Sequence, residues 1–434
     1  MNDNNMKNQT PLKERFFLIG ITPPHGRFEF GEQTLEELRR LTDTAGAEIV
    51  GEEHVRVREI NPATFIGSGT AQRLAGISSE LEATGIVFDE DLSPAQNRNL
   101  ENIFDAKVLD RSSLILDIFA QHAHSSEGKL QVELAQLEYL LPRLRGRGQQ
   151  LSRLGGGIGT RGPGETKLET DRRRILKRIS RLKSEIDAMK KNRDIQRSRR
   201  EKKSVPTVSL VGYTNAGKST LLNTLTRGNV LVQNQLFSTL DPTARKLDLP
   251  AGGDAVLIDT VGLIRKLPHT LVAAFRATLE EIRYADILLC IVDASSPMRE
   301  EEIRATHEVL EIMKVRDKPI LTVFNKIDSL EDRAEIAVLA EDASPSVLVS
   351  AKSGEMLYNL LRKIEYMIIH TRAVRQYEIP YHRFDLLAKI QSLSDDAEVE
   401  YLDDHILVTT RIEQKEAARL EQDEDLGIVR EKQS

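Results

Sequence analysis

Apolar positions recur along this chain in two rhythms, and the rhythm changes with position. Between residues 16 and 110, short apolar runs alternate with helically spaced ones. Phe16-Phe17-Leu18-Ile19 reads as a strand. Leu35, Leu38 and Leu41 fall on one side of a helix reaching Ala45, and His54 to Ile60 alternates as a strand does. Gly67-Ser68-Gly69-Thr70 opens a helix carrying Leu74, Ile77 and Leu81. Ile86-Val87-Phe88 is a further strand, Ser93 caps the next helix, and Lys107-Val108-Leu109 is a strand again. This alternation predicts a small α/β domain with a mainly parallel sheet. The pair Gly67 and Gly69 reads as a helix-entry turn, with phosphate binding as the weaker alternative.

From Glu127 the rhythm becomes that of helix seams. Leu130, Leu134, Leu137 and Leu141 are spaced 4, 3, 4; Leu168, Ile175, Ile179, Leu182, Ile186 and Met189 are spaced 7, 4, 3, 4, 3. Two such stripes predict an antiparallel helical hairpin or short coiled coil. Between them, residues 139–164 hold eight glycines, five arginines (Arg143, Arg145, Arg147, Arg153, Arg161) and no Asp or Glu. Glycine lets backbone approach closely and arginine pairs with phosphate, so this tip is expected to contact RNA; an inert linker is the alternative. With few aromatics here, a structured RNA surface fits better than stacking on single strands.

Charge sharpens that expectation. The whole chain is at −6, yet Arg143 to Lys203 carries 21 Lys+Arg against 7 Asp+Glu, and the remainder 40 against 60. A basic block in an otherwise acidic chain suits a polyanionic partner, although a solvated helix face would show the same excess. The single cysteine, Cys290, lies in the apolar run Ile287 to Val292 and reads as a small core residue; one cysteine forms no disulfide within the chain, which fits a reducing cytoplasm. Met1 to Thr10 is polar, without the apolar stretch of a signal peptide, and no apolar run approaches the ~20 residues of a membrane span.

After the polar boundary at 190–204 comes the stretch with the sharpest chemistry. Gly212-Tyr213-Thr214-Asn215-Ala216-Gly217-Lys218-Ser219 has the G-x-x-x-x-G-K-[ST] spacing of a phosphate-binding loop, preceded by the strand-like Val208 to Val211 and followed by helical Thr220 to Leu225. Backbone N–H groups and the helix N-terminus would face a phosphate; Lys218 would reach the β- and γ-phosphates and the Ser219 hydroxyl would ligate Mg²⁺. Four more strand ends follow in order. Ala255 to Ile258 runs into Asp259-Thr260-Val261-Gly262, where the carboxylate can hold a Mg²⁺-bound water and Gly262 N–H can meet a γ-phosphate. Ile287 to Val292 ends at Asp293. Ile320 to Phe324 ends in Asn325-Lys326-Ile327-Asp328, whose carboxylate can accept from guanine N1–H and the 2-amino group, selecting GTP over ATP. Val347 to Val349 leads to Ser350-Ala351-Lys352, whose N–H groups can contact guanine O6. The fold class expected is α/β: a doubly wound P-loop GTPase sheet with its ligand at the carboxyl edge, preceded by the small α/β domain and the hairpin. In Phe237-Ser238-Thr239-Leu240-Asp241-Pro242-Thr243, either Thr239 or Thr243 could supply the second Mg²⁺ ligand. Leu263 follows the DTVG motif where Ras-like GTPases carry a glutamine, so slow intrinsic hydrolysis stimulated by a partner is expected.

FSTLDPT, DTVGLIRKLP, NKID and SAK, together with GGGIGTRGPGETKLETDRRR between Gly155 and Arg174, resemble the HflX GTPases of the Obg–HflX group. Pro62 to Gly69 and Leu92 to Gln96 share the likeness, which spans roughly Phe16 to Lys363. The resemblance implies a GTPase that binds the large ribosomal subunit, its rRNA and proteins, in the GTP state, splits or rescues ribosomes under stress, and faces rRNA with its glycine-rich tip. It also favours Thr239 over Thr243, making Ser219 and Thr239 the metal ligands, and Lys218, Thr239 and Gly262 the catalytic set. Three positions depart from the family: Thr70 stands for the usual Lys, Ser238 for Ala and Leu263 for Phe. The organisation expected is a disordered 1–15, an N-terminal α/β domain 16–125, a hairpin 126–204 with tip 146–164, a GTPase domain 205–372, and a small C-terminal α/β domain 373–434 whose acidic end, 421–434, is disordered. The protein is expected to be a cytoplasmic monomer. A factor for large-subunit assembly, and a GTP-switched module that binds proteins, are the competing readings.

Overall fold

The structure, a computed structural model, describes residues 14–22, 24, 31–144, 163–201, 205–226, 237, 243–264, 281–315, 318–330, 332, 334–343, 345–394, 397–413, 417, 419–423 and 425–429. The chain forms two compact units. Among the described residues, the first comprises those up to Ala188 together with Phe237, and the second comprises the rest.

The first unit is built on four parallel strands, β1 (Arg15–Thr22), β2 (Glu48–Arg56), β3 (Gly85–Phe88) and β4 (Lys107–Leu109), in the order β2-β1-β3-β4. β1 and β3 are apolar on both faces because helices cover them, as parallel sheets require. Helices α1 (Gly31–Thr44), α2 (Ser68–Glu80), α3 (Pro94–Phe104) and α4 (Arg111–His122) connect and cover the strands. The second strand lies six residues earlier than its alternation suggested. It is an edge strand, half-buried along most of its length, so its start at Glu48 lacks a clear two-residue rhythm, and after Arg56 only the Val57 N–H continues the pairing, to Thr22 O. Ser93 caps α3 with a reciprocal box involving Gln96. Asp110 caps α4 through the Ser113 N–H, 2.8 Å away.

Two longer helices follow, α5 (Ser126–Arg143) and α6 (Pro163–Glu201). Their seams meet in a small core: Leu134, Ile179 and Leu182 are buried, with Leu130, Leu137, Leu141, Ile175 and Ile186 packed round them. The ion pairs Arg178–Glu133 (2.6 Å) and Lys183–Glu138 (2.8 Å) advance by five residues along both helices together. An antiparallel hairpin reverses that order, so the expected opposition of the two helices is not what these contacts describe. An a/d stripe carries no direction, and the 19 residues between the helices could extend about 60 Å, ample for a return in either sense. Of the expected tip, residues 146–162 lie outside the described residues, while Pro163 and Gly164 open α6; residues 1–13 of the N-terminus also lie outside them.

Phe237 is buried in this unit. Its ring meets Phe119 of α4 edge-on, centroids 4.5 Å apart at 75°. Its φ of 58° is a left-handed conformation that a bulky side chain rarely adopts, and the packing holds it there.

The second unit contains a six-stranded sheet: β5 (Thr207–Gly212), β6 (Thr243–Asp248), β7 (Asp254–Asp259), β8 (Ile287–Asp293), β9 (Ile320–Asn325) and β10 (Ser346–Leu348), in the order β10-β9-β8-β5-β7-β6. All neighbours are parallel except β6, which runs antiparallel to β7. The chain departs from β5 toward β7 and then crosses to β8 on the other side, which makes β5 the switch point where doubly wound folds hold ligands. Helices α7 (Lys218–Thr226), α8 (Arg299–Ile312), α9 (Ala334–Asp342) and α10 (Leu357–Thr371) complete this domain.

A separate four-stranded sheet closes the chain: β11 (Arg372–Pro380), β12 (Glu398–Tyr401), β13 (His405–Glu413) and β14 (Gly427–Val429), in the order β12-β13-β11-β14, with α11 (Phe384–Leu393) against it. Its strands pair antiparallel. The acidic end is therefore structured as far as Val429, against the expectation of disorder from 421. Leu420 and Leu426 are buried, and the acids there are matched: Asp423 and Asp425 pair with Arg383, and Glu421 with Arg375.

Candidate nucleotide site

The loop Gly212–Ser219 leaves β5 at the carboxyl edge of the six-stranded sheet and runs into α7. Its glycines are steric necessities. Gly212 has φ 146°, and a Cβ there would stand 2.2 Å from Ile291 O; Gly217 has φ 95°, and a Cβ would meet Asn325 Nδ2 at 2.2 Å. Asn215 is also left-handed, at φ 61°. Lys218, the first residue of α7, folds back so that Nζ donates to Gly212 O at 3.0 Å and Tyr213 O at 2.7 Å. Burial drags its pKa down to about 8 while the Asp259 carboxylate pulls the other way. A polyanion arriving here would meet an ammonium held in place with little competing solvent.

Asp259, at the end of β7, is fully buried and accepts from Ser219 Oγ at 2.8 Å. Thr260 Oγ1 donates to Leu210 O at 2.6 Å, which ties the D-T-V-G turn to β5. Val261 and Leu263 are buried beneath it, and Leu263 pairs with the phosphate loop through its backbone: its N–H donates to Gly212 O and its C=O accepts from Thr214 N–H. Gly262 thereby stands beside Lys218, whose Nζ would lie 3.3 Å from a Cβ at that position.

The other end of the loop meets the N-K-I-D motif. Asn325 is 1% exposed; its Nδ2 donates to Ala216 O at 2.9 Å and its Oδ1 accepts from Ala351 N–H at 2.9 Å. One side chain thus ties the phosphate loop to the S-A-K loop. Lys326 (φ 66°) is held by Asp293 at 2.6 Å. Asp328 Oδ1 accepts from Ser350 Oγ at 2.7 Å, Ile327 is buried behind it, and Lys352 is exposed. The structure therefore brings Gly212 to Ser219, Asp259 to Gly262, Asn325 to Asp328 and Ser350 to Lys352 to one edge of one sheet. Ser238, Thr239, Leu240 and Asp241 lie outside the described residues. Thr243 is the first residue of β6, opposite Asp259. Phe237, expected at the nucleotide, is a packing group on Phe119, which an aromatic residue in a polar motif does not advertise. Asp293, as the anchor of Lys326, was missed; its place at a strand end was the signal.

A phosphate loop at the switch point with a guanine-type N-K-x-D motif beside it defines a P-loop GTPase. Three family descriptions match successive parts of the chain: "GTP-binding GTPase N-terminal" over residues 32–120, "GTP-binding GTPase Middle Region" over 122–200 and "50S ribosome-binding GTPase" over 207–326. GTPase HflX of Caldanaerobacter subterraneus subsp. tengcongensis is 47% identical over 86% of this chain and 84% of its own length, and GTPase HflX of Escherichia coli is 47% identical over 76% and 78%. The crystal structure of a GTP-binding protein from Sulfolobus solfataricus in complex with GDP is similar at 26% identity and TM-score 0.44, covering 83% of this chain and 99% of that one. The chain belongs to the HflX family of GTPases, and its reaction is the hydrolysis of GTP to GDP and phosphate.

Proposed function

We propose that this GTPase binds the large ribosomal subunit in its GTP state, separates or rescues stalled ribosomes, and leaves on hydrolysis. The observation that carries the reading is Asn325. Its two hydrogen bonds join the phosphate loop to the loop that would flank guanine, so one ligand is sensed at both ends. The basic block Arg143 to Lys203 and the family description "50S ribosome-binding GTPase" support an RNA-rich partner. In this reading the backbone N–H groups of Gly212 to Ser219 and the Lys218 ammonium hold the phosphates, Asn325, Asp328 and Ser350 to Lys352 read the base, and Gly262 N–H meets the γ-phosphate.

The residues at the loop fit Mg²⁺: two hard oxygen donors, Ser219 Oγ and the Asp259 carboxylate, are already 2.8 Å apart beside the phosphate loop. Ser219 would hold the ion directly, with Thr239 as second protein ligand, and Asp259 would hold a water of its shell. Bound there, the ion would supply charge neutralisation for the phosphates. Lys218 adds a positive charge at the same oxygens, and the buried Leu263 side chain can align no water, so hydrolysis by the free protein is slow and the ribosome accelerates it. No helix among the described residues is long and apolar enough to cross a membrane; the protein works as a cytoplasmic monomer. In this reading the chain divides at 125, 204 and 372, a division supported by the succession of a parallel sheet, paired helices, a nucleotide sheet and a terminal sheet.

Co-sedimentation with purified large subunits tests this. Retention with a non-hydrolysable GTP analogue and release with GDP is the expected result, and equal retention in both states overturns it. Light scattering of 70S particles separates ribosome splitting from a role in assembly.

A further inference from the structure

We infer that the Thr214 hydroxyl positions the attacking water at the γ-phosphate, in the role that the side chain at position 263 cannot fill. The inference rests on the phosphate-loop reading above.

The loop has a polarity. Ala216 and Gly217 face Asn325, toward the base-reading end. Thr214 faces the opposite way: a Cβ on Gly262 would stand 2.7 Å from Thr214 Cγ2, 2.9 Å from its Cα and 3.3 Å from Lys218 Nζ. Thr214, Gly262 and the Lys218 ammonium therefore meet at one point, the γ-phosphate end. Thr214 is 6% exposed, and its Oγ1 makes no hydrogen bond among the described residues. A buried hydroxyl in that state carries a desolvation cost, which is removed when an oxygen-rich ligand or a water enters beside it.

The neighbouring groups are already committed. Leu263 is 2% exposed, and both its backbone polar groups are paired with the phosphate loop, so its side chain is fixed in the core. The Thr260 hydroxyl is bonded to Leu210 O. Lys218 is a cation with no acceptor to offer an attacking water's proton. A threonine hydroxyl both donates and accepts: it can accept from the water while donating to a γ-phosphate oxygen, which fixes the line of attack without taking up a proton.

The test compares Thr214→Val, which keeps the shape, with Thr214→Ser, which keeps the hydroxyl, and Thr214→Ala, which removes both. Single-turnover hydrolysis by the full-length protein is measured beside fluorescent GDP and non-hydrolysable GTP-analogue affinities. The expected result is a fall in hydrolysis of about tenfold or more in the Val and Ala variants, affinities within about twofold of the parent, and a Ser variant close to the parent rate. Hydrolysis by the Val and Ala variants at the parental rate overturns the inference. So does a Ser variant as slow as Val, which would assign the effect to the methyl packed on Gly262. Loss of affinity in parallel with rate would make the Thr214 hydroxyl, and not only the loop backbone, a binding group for the phosphates and also overturns it. Failure of the site assignment itself reads out separately, as Lys218→Ala retaining normal nucleotide affinity.

Discussion

The two parallel sheets put acidic groups in the same architectural place and use them in opposite ways. At the carboxyl edge of β2-β1-β3-β4 stand Asp89 and Asp110, both fully buried. Arg111, 1% exposed, lies 2.6 Å from Asp89 and 2.6 Å from Glu37. Asp110 receives Arg143 at 2.7 Å, the Tyr139 hydroxyl at 2.7 Å and the Ser113 N–H. The Tyr139 phenol is held well above its ordinary pKa by burial and by the Asp110 charge, and so stays a donor. That edge is closed by its own residues. At the edge of the six-stranded sheet, Asp259 is bonded to a serine hydroxyl, and Lys218, among the described residues, is bonded to carbonyls. A metal ion and a phosphate can replace those partners. A parallel sheet therefore supplies the position, and the strength of the competing internal partners decides whether a ligand can take it.

Breaking each edge separately sharpens the contrast. The largest effect is expected from Arg111→Met, which leaves the buried Asp89 and the half-buried Glu37 without their guanidinium. A loss of about 3–5 kcal/mol is expected in urea unfolding, with GDP affinity unchanged. Lys218→Ala should do the reverse, costing about 3 kcal/mol of GTP binding, above a hundredfold by calorimetry, with little change in melting temperature. Asp328→Asn replaces one acceptor by a donor facing the base. GTP-over-ATP preference should fall by roughly ten- to a hundredfold in competition assays, and an unchanged preference would refute its role.

The smallest effect belongs to the opposite, amino edge of the same sheet, where Asp117 of α4 feels the charges of Glu14 and Lys107. Burial raises the Asp117 carboxyl pKa above its unfolded value. Protonation therefore favours the folded state, and that contribution is present below the unfolded pKa and lost as pH rises through the folded one. Asp117→Asn should raise the melting temperature slightly at pH 7, and the gain should shrink toward pH 4.

The open edge was legible in the sequence because its chemistry is local. Gly212 to Ser219 and Asn325 to Asp328 each form one turn after one buried strand, and strands covered on both faces read as plain apolar runs; Ser350 to Lys352 follow the short, half-buried edge strand β10. The closed edge was not legible, since Arg111 finds partners 22 and 74 residues away and only the strand order brings them together. The order of contacts between α5 and α6 was hidden for a related reason: 4-3-4 spacing is the same read in either direction. β14 escaped notice because the edge tripeptide Gly427–Val429 has too few residues for a period, and its place depends on β11, 47 residues or more before it.

Cys290 sits in the middle of β8, fully buried, with burial pushing its thiol pKa up to about 12. The chain also has no tryptophan. The molecule is consequently silent to thiol-directed dyes and to selective indole excitation. A cysteine or tryptophan introduced at one exposed position would report from that place alone, against a dark background.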